Sequence, residues 1–169
     1  MAIEIRLAEP ADVDTLDTGL RALAAVLGDP HRATPDGLGV ALFGPGPIAR
    51  AVVAWDRAHR SADPSLAGLA LFSPLYSTAR GLSGAYVSDL WVAEGARGGG
   101  VGRRLLAGVR DAAADIWGAG FLRLGVYART PRARAFYDRL GFVHDPEETF
   151  LTLSGAALSA LADPGGDHA

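Results

Sequence analysis

Gly98, Gly99, Gly100 and Gly102 place four glycines in five positions, between the strand-like run YVSDLWV and the helix-like run VGRRLLAGVRDAAADIW. No other feature restricts the fold of this chain as much. Glycine loses more backbone freedom on folding than any other residue, so a cluster at a strand-to-helix junction implies a sharp turn or a backbone lying bare against a ligand. Val101, Leu105, Leu106, Val109, Ala113 and Ile116 form one apolar stripe at helical spacing, which predicts an amphipathic helix beginning at Val101. The start of a helix carries unpaired N–H groups and about half a positive charge, and so favours phosphate. Arg97, Arg103 and Arg104 would add charge-assisted donors beside it.

Two nucleotide motifs are set aside. A P-loop requires lysine followed by a hydroxyl residue, and neither stands here. A dinucleotide fingerprint belongs at the opening of a βαβ unit, whereas this junction follows the fourth expected strand.

Upstream, IEIRLA alternates as a half-buried strand does, and Val13, Leu16, Leu20, Leu23 and Leu27 are spaced as a helix that Gly28 stops. Residues 29–47 read as loop with a short helix around DGLGVALFG. IARAVVAW, LAGLALFSPLYS and GAYVSDLWV are the next strands, joined first by a polar connection, DRAHRSADPS, with a bulge expected at Pro74. GFLRLGVYA is a fifth strand, TPRARAFYDRLGF a short helix, TFLTLS a last strand, and SGAALSALA a closing helix with Ser154 as its cap. Antiparallel strands followed by strand–helix–strand predict an α+β fold with a mixed, largely antiparallel sheet flanked by helices. With 169 residues, a single domain spanning 1–169 is expected, with 163–169 as a frayed tail.

Composition removes several function classes. A net charge of −3 gives no electrostatic case for nucleic acid as a partner. No apolar run approaches the roughly 20 residues of a membrane span, and MAIEIRLAEPADVD lacks the layout of a signal peptide. A cytoplasmic protein is expected. There is no cysteine, so disulfides, thiolate metal sites and a cysteine nucleophile are excluded. His31, His59 and His144 are scattered through expected loops without paired spacing, so they read as surface histidines and no metal is expected.

The run DLWVAEGARGGGVGRRLL resembles the acyl-CoA-binding motif of the GNAT N-acetyltransferase family, [QR]-x-x-G-x-[GA] after a strand, with Arg97, Gly100 and Gly102 at its fixed positions. ARAFYDRLGF resembles the family's second helix, and IRLAEPADVDTL its opening strand and helix. LFSPLYSTARGLSGAYVSDLWV is similar to the diamine and polyamine acetyltransferase branch. The resemblance covers almost the whole chain and is weakest over residues 29–65.

That resemblance implies a GNAT-type sheet in which the fourth and fifth strands splay apart to form a cleft for acetyl-CoA. It implies an acetyl transfer to a primary amine of a small molecule by direct attack, and a homodimer. It places Leu90, Trp91 and Val92 along the pantetheine arm, and Arg97, Gly98, Gly99, Gly100, Val101, Gly102 and Arg103 around the pyrophosphate. Tyr137 matches the tyrosine that protonates the departing thiolate; a phenol can donate to a thiolate as the tetrahedral intermediate collapses.

The chain departs from the family in three places. Thr130 and Pro131 stand where many members have an asparagine that contacts the CoA arm, of which Thr130 could keep one side-chain hydrogen bond. Ser88 stands where the polyamine branch has a glutamate, and serine can hold a water but cannot be a base. Val26 and Leu27 replace a polar, acidic pair. Alternation puts Tyr86 on the face of Ser88, lining the acceptor site with it, and turns Asp89 to the opposite face. Two alternatives use the same residues: a non-catalytic acyl-CoA-binding regulatory domain, and acetylation of a protein or peptide amine.

Overall fold

Residues 2–57, 65–144 and 146–161 are described by a computed structural model. The polar connection with His59 and the tail at 163–169 lie outside the described residues. The chain divides into two compact units, Met1–Arg129 and Thr130–Ala169.

The first unit holds one sheet of five strands in sequential order, β1 (Ile3–Leu7), β2 (Arg50–Asp56), β3 (Ser65–Ser77), β4 (Leu82–Val92) and β5 (Leu122–Leu124). The first four pair antiparallel; β5 lies parallel to β4, because the connection between them is a long crossover helix. Helix α1 (Val13–Leu27) ends as expected at Gly28, which adopts φ 72° and so closes the helix in the left-handed conformation. The short helix α2 (Pro35–Phe43) is capped by the Thr34 side chain, which accepts from the Gly37 amide. The long helix α3 (Val101–Trp117) begins where the glycine cluster ends.

The helices take opposite faces of the sheet. Leu16, Leu20, Leu38 and Leu42 of α1 and α2 bury against Ala51, Val53 and Leu69 of β2 and β3. On the other face, Gly108 brings α3 against Val52 and Ile5, and Trp117 packs edge-on against Phe72 with ring centroids 5.7 Å apart. Each fully buried Leu, Val or Phe stabilises this arrangement by about 1.5–3 kcal/mol relative to exposure.

The fold corrects two expectations. Pro74 is not the site of a bulge: β2 stops at Phe72, so Pro74 lies where β3 has lost one neighbour and its missing N–H disturbs no ladder. The irregularity falls on β4 instead, where Leu71 pairs with Asp89 and Phe72 with Val87, leaving Ser88 as the extra residue. The last strand, TFLTLS, joins no ladder among the described residues; Leu151 and Leu153 are exposed. Alternation reports compatibility with a pleated surface, but a strand also needs a partner.

The second unit contains α4 (Pro131–Arg139) and α5 (Gly155–Ala160). Ser154 does occupy the N-cap position of α5, without a capping side-chain bond.

Candidate active site

The ladder between β4 and β5 spans three residue pairs, from Ala85 with Leu122 to Val87 with Leu124. Beyond Val87, β4 continues to Val92 paired with β3 alone. The two strands thus part at Ser88, and one edge of the stretch containing Leu90, Trp91 and Val92 is open among the described strands. An open strand edge offers backbone donors and acceptors to an extended ligand.

At Val92 this edge leads into the glycine turn. A short 3-10 turn, Glu94–Ala96, is followed by Gly98 at φ 79° and Gly100 at φ 76°, after which α3 begins at Val101. Both glycines hold conformations that an L side chain disfavours by roughly 1–2 kcal/mol. A Cβ at either would meet nothing within 4 Å, so the space above this backbone is clear. No side chain caps the first turn of α3, which leaves Val101, Gly102 and Arg103 at a helix start suited to an anion.

The arginines divide their roles. Arg97 is exposed and donates Nε to the Val92 carbonyl at 3.1 Å, which fixes its guanidinium between the strand end and the turn. Arg103 is exposed on the first turn. Arg104 does not join them: its Nη2 donates to the Ile3 carbonyl of β1 at 2.7 Å. Spacing alone cannot separate neighbours whose side chains leave a helix about 100° apart.

The bulge at Ser88 rearranges the face of β4 that carries Tyr86. In register with Leu71, Asp89 lies on the face covered by α1; Tyr86, in register with Ser73, lies on that same face. Strict alternation would have separated Asp89 from the other face-lining residues, but one extra residue shifts the phase of everything beyond it. Ser88 is exposed, and its hydroxyl donates to the Leu71 carbonyl at 3.3 Å. Arg123, paired with Tyr86 across the parallel ladder, shares the face, and the Tyr86 hydroxyl reaches to 3.3 Å from where a Gly125 Cβ would stand. Burial pushes the Asp89 carboxyl above its ordinary range, against the Ser88 hydroxyl and the His31 charge.

His31 is the functional candidate that sequence reading missed. It follows α1 in a loop, and its Nε2 lies 2.8 Å from Asp17 Oδ1. Asp17 is buried on α1, whose Gly19 has so little room that a Cβ would come within 2.6 Å of Leu69 and 3.4 Å of Trp91. The same loop is fastened at Asp29, which accepts from the Tyr127 hydroxyl at 2.8 Å and pairs with Arg129 at 3.3 Å. Arg129 also donates to the Leu27 carbonyl and stacks over Tyr127 at 4.0 Å. The loop therefore joins the end of α1 to the segment after β5. A lone histidine in a Gly/Pro-rich stretch gives no signal of such a partner.

In the second unit, Tyr137 sits on α4 between Phe136 and Phe142, with edge-on ring contacts at 5.2 and 5.6 Å. Burial raises its phenol above the ordinary tyrosine value, so it remains protonated near neutral pH. Thr130 occupies the N-cap position of α4, and its carbonyl accepts from the Arg134 amide. His144 is exposed. Among the described residues no group of three or more His, Cys, Asp or Glu could hold a metal ion, and no helix is long and apolar enough to cross a membrane.

The sequence matches the Acetyltransferase (GNAT) family over residues 48–142. No curated protein matches the chain. Among solved structures it is similar to an integron cassette protein from the mobile metagenome of V. cholerae, with TM-score 0.74 and 21% identity over 96% of this chain and 99% of that one. A ribosomal-protein-alanine N-acetyltransferase from Brucella melitensis biovar Abortus 2308 gives TM-score 0.69 and 22% identity over 90% and 100%. An aminoglycoside acetyltransferase from an uncultured soil metagenomic sample gives 0.71 and 19% over 91% and 100%. At these identities the likeness is one of fold.

Proposed function

Since this chain belongs to the acetyltransferase (GNAT) family, we propose that it transfers the acetyl group of acetyl-CoA to a primary amine of a small molecule by direct attack. The observation that carries this reading is the continuity of an open strand edge with an uncapped helix start. From Ser88 to Val92, β4 lacks a partner on the β5 side, and at its end lie Gly98, Gly100 and the first turn of α3. A linear amide-bearing arm fits the first element and a pyrophosphate the second.

In this reading Leu90, Trp91 and Val92 hold the arm through their backbone, while Arg97, Arg103 and the amides from Gly98 to Gly102 hold the phosphates. Thr130 contributes a hydrogen bond to the arm, and Tyr137 returns a proton to the CoA sulfur. The amine enters the face bearing Tyr86 and Asp89, with Ser88 positioning a water. Asp89 supplies there the carboxylate that the serine at 88 withholds, attracting the acceptor as an ammonium ion. An alkylammonium with pKa near 10.4 is neutral about once in a thousand at pH 7.4, a handicap of roughly 4 kcal/mol that the site must offset.

The test is release of free CoA thiol from acetyl-CoA across a panel of amines and amino acids, with mass spectrometry of the acetylated product. Amine-dependent release with one N-acetyl product per thiol is expected. Tight CoA binding without turnover on any amine would assign the chain to the regulatory acyl-CoA-binding class instead.

A further inference from the structure

Asp17 dictates the tautomer of His31. The Asp17 carboxylate accepts Arg21 Nε on Oδ2 at 2.6 Å and meets His31 Nε2 on Oδ1 at 2.8 Å. Burial opposes its charge, but the hydrogen bonds from Arg21 and His31 outweigh burial and hold it below the ordinary carboxylate value. An ionised carboxylate only accepts, so Nε2 carries the hydrogen and Nδ1 of the neutral ring presents its lone pair. Among the described residues no hydrogen bond occupies Nδ1. The side chain is 14% exposed, shielded from bulk water yet reachable.

This pair lies on the β4 side of α1: two residues further along the helix a Cβ at Gly19 would come within 3.4 Å of Trp91, and the His31 charge acts on Asp89. The loop carrying His31 runs from α1 toward the segment after β5, and Asp89 beyond the bulge belongs to the face that α1 covers. Asp17 and, through it, Arg21 of α1 stand at the imidazole, its own loop carries Asp29 and Arg32, and the His31 charge acts on Asp89 of β4; Tyr86 of β4, Arg123 of β5, and Tyr127 and Arg129 after it are the other titratable and charged groups of these elements. Arg21 and Arg129 are engaged with Asp17 and Asp29.

We propose that His31, oriented by Asp17, is the proton acceptor for the amine that enters the face of Tyr86 and Asp89. The inference rests on the acetyltransferase reading above. The ammonium gives one proton to Nδ1, and the neutral amine forms a C–N bond to the acetyl carbonyl carbon. As the C–S bond breaks, the second nitrogen proton replaces the one that Tyr137 gives to the thiolate. The imidazolium then releases its proton to solvent, so the net products are the amide, CoA thiol and one proton. His31 and Asp17 form a dyad in which the carboxylate fixes the ring and stabilises the cation without itself being protonated.

The test uses the whole protein. Long-range ¹⁵N–¹H NMR of the histidines, with His31→Gln to assign the signal, is expected to show the Nε2–H tautomer; an Nδ1–H tautomer overturns the inference. In kinetics, His31→Gln is expected to lower kcat by roughly 10²-fold or more, with CoA affinity within about threefold and the acid limb of the pH–rate profile gone. Asp17→Asn is expected to lose a comparable amount, because an amide can donate to Nε2 and force the hydrogen onto Nδ1. A melting curve checks its fold, and should it unfold, His31→Gln and the wild-type spectrum decide. A wild type that acetylates no amine overturns both readings. An active wild type matched by His31→Gln in rate and pH profile overturns this one alone.

Discussion

A Cβ at Gly100 meets no atom within 4 Å, and the residue holds φ 76°. Gly100→Val therefore costs about 1–3 kcal/mol of backbone strain, within the 5–15 kcal/mol margin of an ordinary domain, and the variant should fold. Its isopropyl group would then fill the space proposed for the pyrophosphate. Calorimetric titration should find CoA binding lost or reduced by more than about a hundredfold; unchanged affinity in the folded variant would remove the glycine turn from the site. Arg97→Ala should weaken CoA by a milder amount, on the order of 1–3 kcal/mol for a charged hydrogen bond, in the same titration. Tyr137→Phe reads the chemistry separately. Since burial keeps the phenol protonated, the variant should lose roughly 10²–10⁴-fold in turnover with CoA affinity intact. A loss under about threefold, with chemistry rate-limiting, would return Tyr137 to a packing role. At this scale sequence was informative where residue type and position coincide, as in the glycines. It could not place Asp89, whose face depends on a bulge with no compositional signature. Nor could it find the His31–Asp17 bond, which joins a loop to a helix 14 positions apart.

Among elements, the entry to α1 depends on one carboxylate. Asp12 is 5% exposed, receives Arg6 of β1 at 2.6 and 2.9 Å, and accepts the Glu9 amide at 2.7 Å. Burial opposes its ionisation, yet the Arg6 hydrogen bonds, the Glu9 amide and the Arg6 charge outweigh burial and hold it below its ordinary value. A carboxylate depressed by folding adds stability that is present above the unfolded value near 3.9 and lost as pH falls through the folded value. Denaturant midpoints should accordingly decline as pH is lowered below about 4. Asp12→Asn should cost about 1.5–3 kcal/mol at pH 7 and flatten that acid decline. An unchanged midpoint at pH 7 would show that β1 and α1 hold together without the pair. Helices α1 and α3 were legible because stripe and stop coincide in each, ending at Gly28 and Gly118. Strand β5 shrank to Leu122–Leu124 and TFLTLS found no ladder, because strand identity is settled by neighbours that a local pattern cannot name.

Over the whole molecule, the charge on the proposed acceptor face bears on which amine can use it. Asp17 is engaged with Arg21 and His31, Asp29 with Arg129 and the Tyr127 hydroxyl, and Arg123 shares the face with Tyr86. Asp89 is then the carboxylate that the proposed acceptor face offers a cation. A polyamine carries further charges that gain nothing from a single carboxylate. A monoamine meets Asp89 once and leaves no charge uncompensated. The deprotonation handicap favours the same class: an amine with pKa near 8 is neutral about one time in five at pH 7.4, a cost of only about 1 kcal/mol against roughly 4 for an alkyl amine. Steady-state kinetics should therefore rank α-amines and arylalkyl amines above spermidine and spermine. Asp89→Asn should depress kcat/KM for every amine while leaving CoA affinity unchanged. A kcat/KM for spermidine above about 10⁴ M⁻¹s⁻¹, the range of an ordinary enzyme on its own substrate, would overturn the ranking. It would also require a second anionic contact for the distal ammonium, beyond the carboxylate that Asp89 provides.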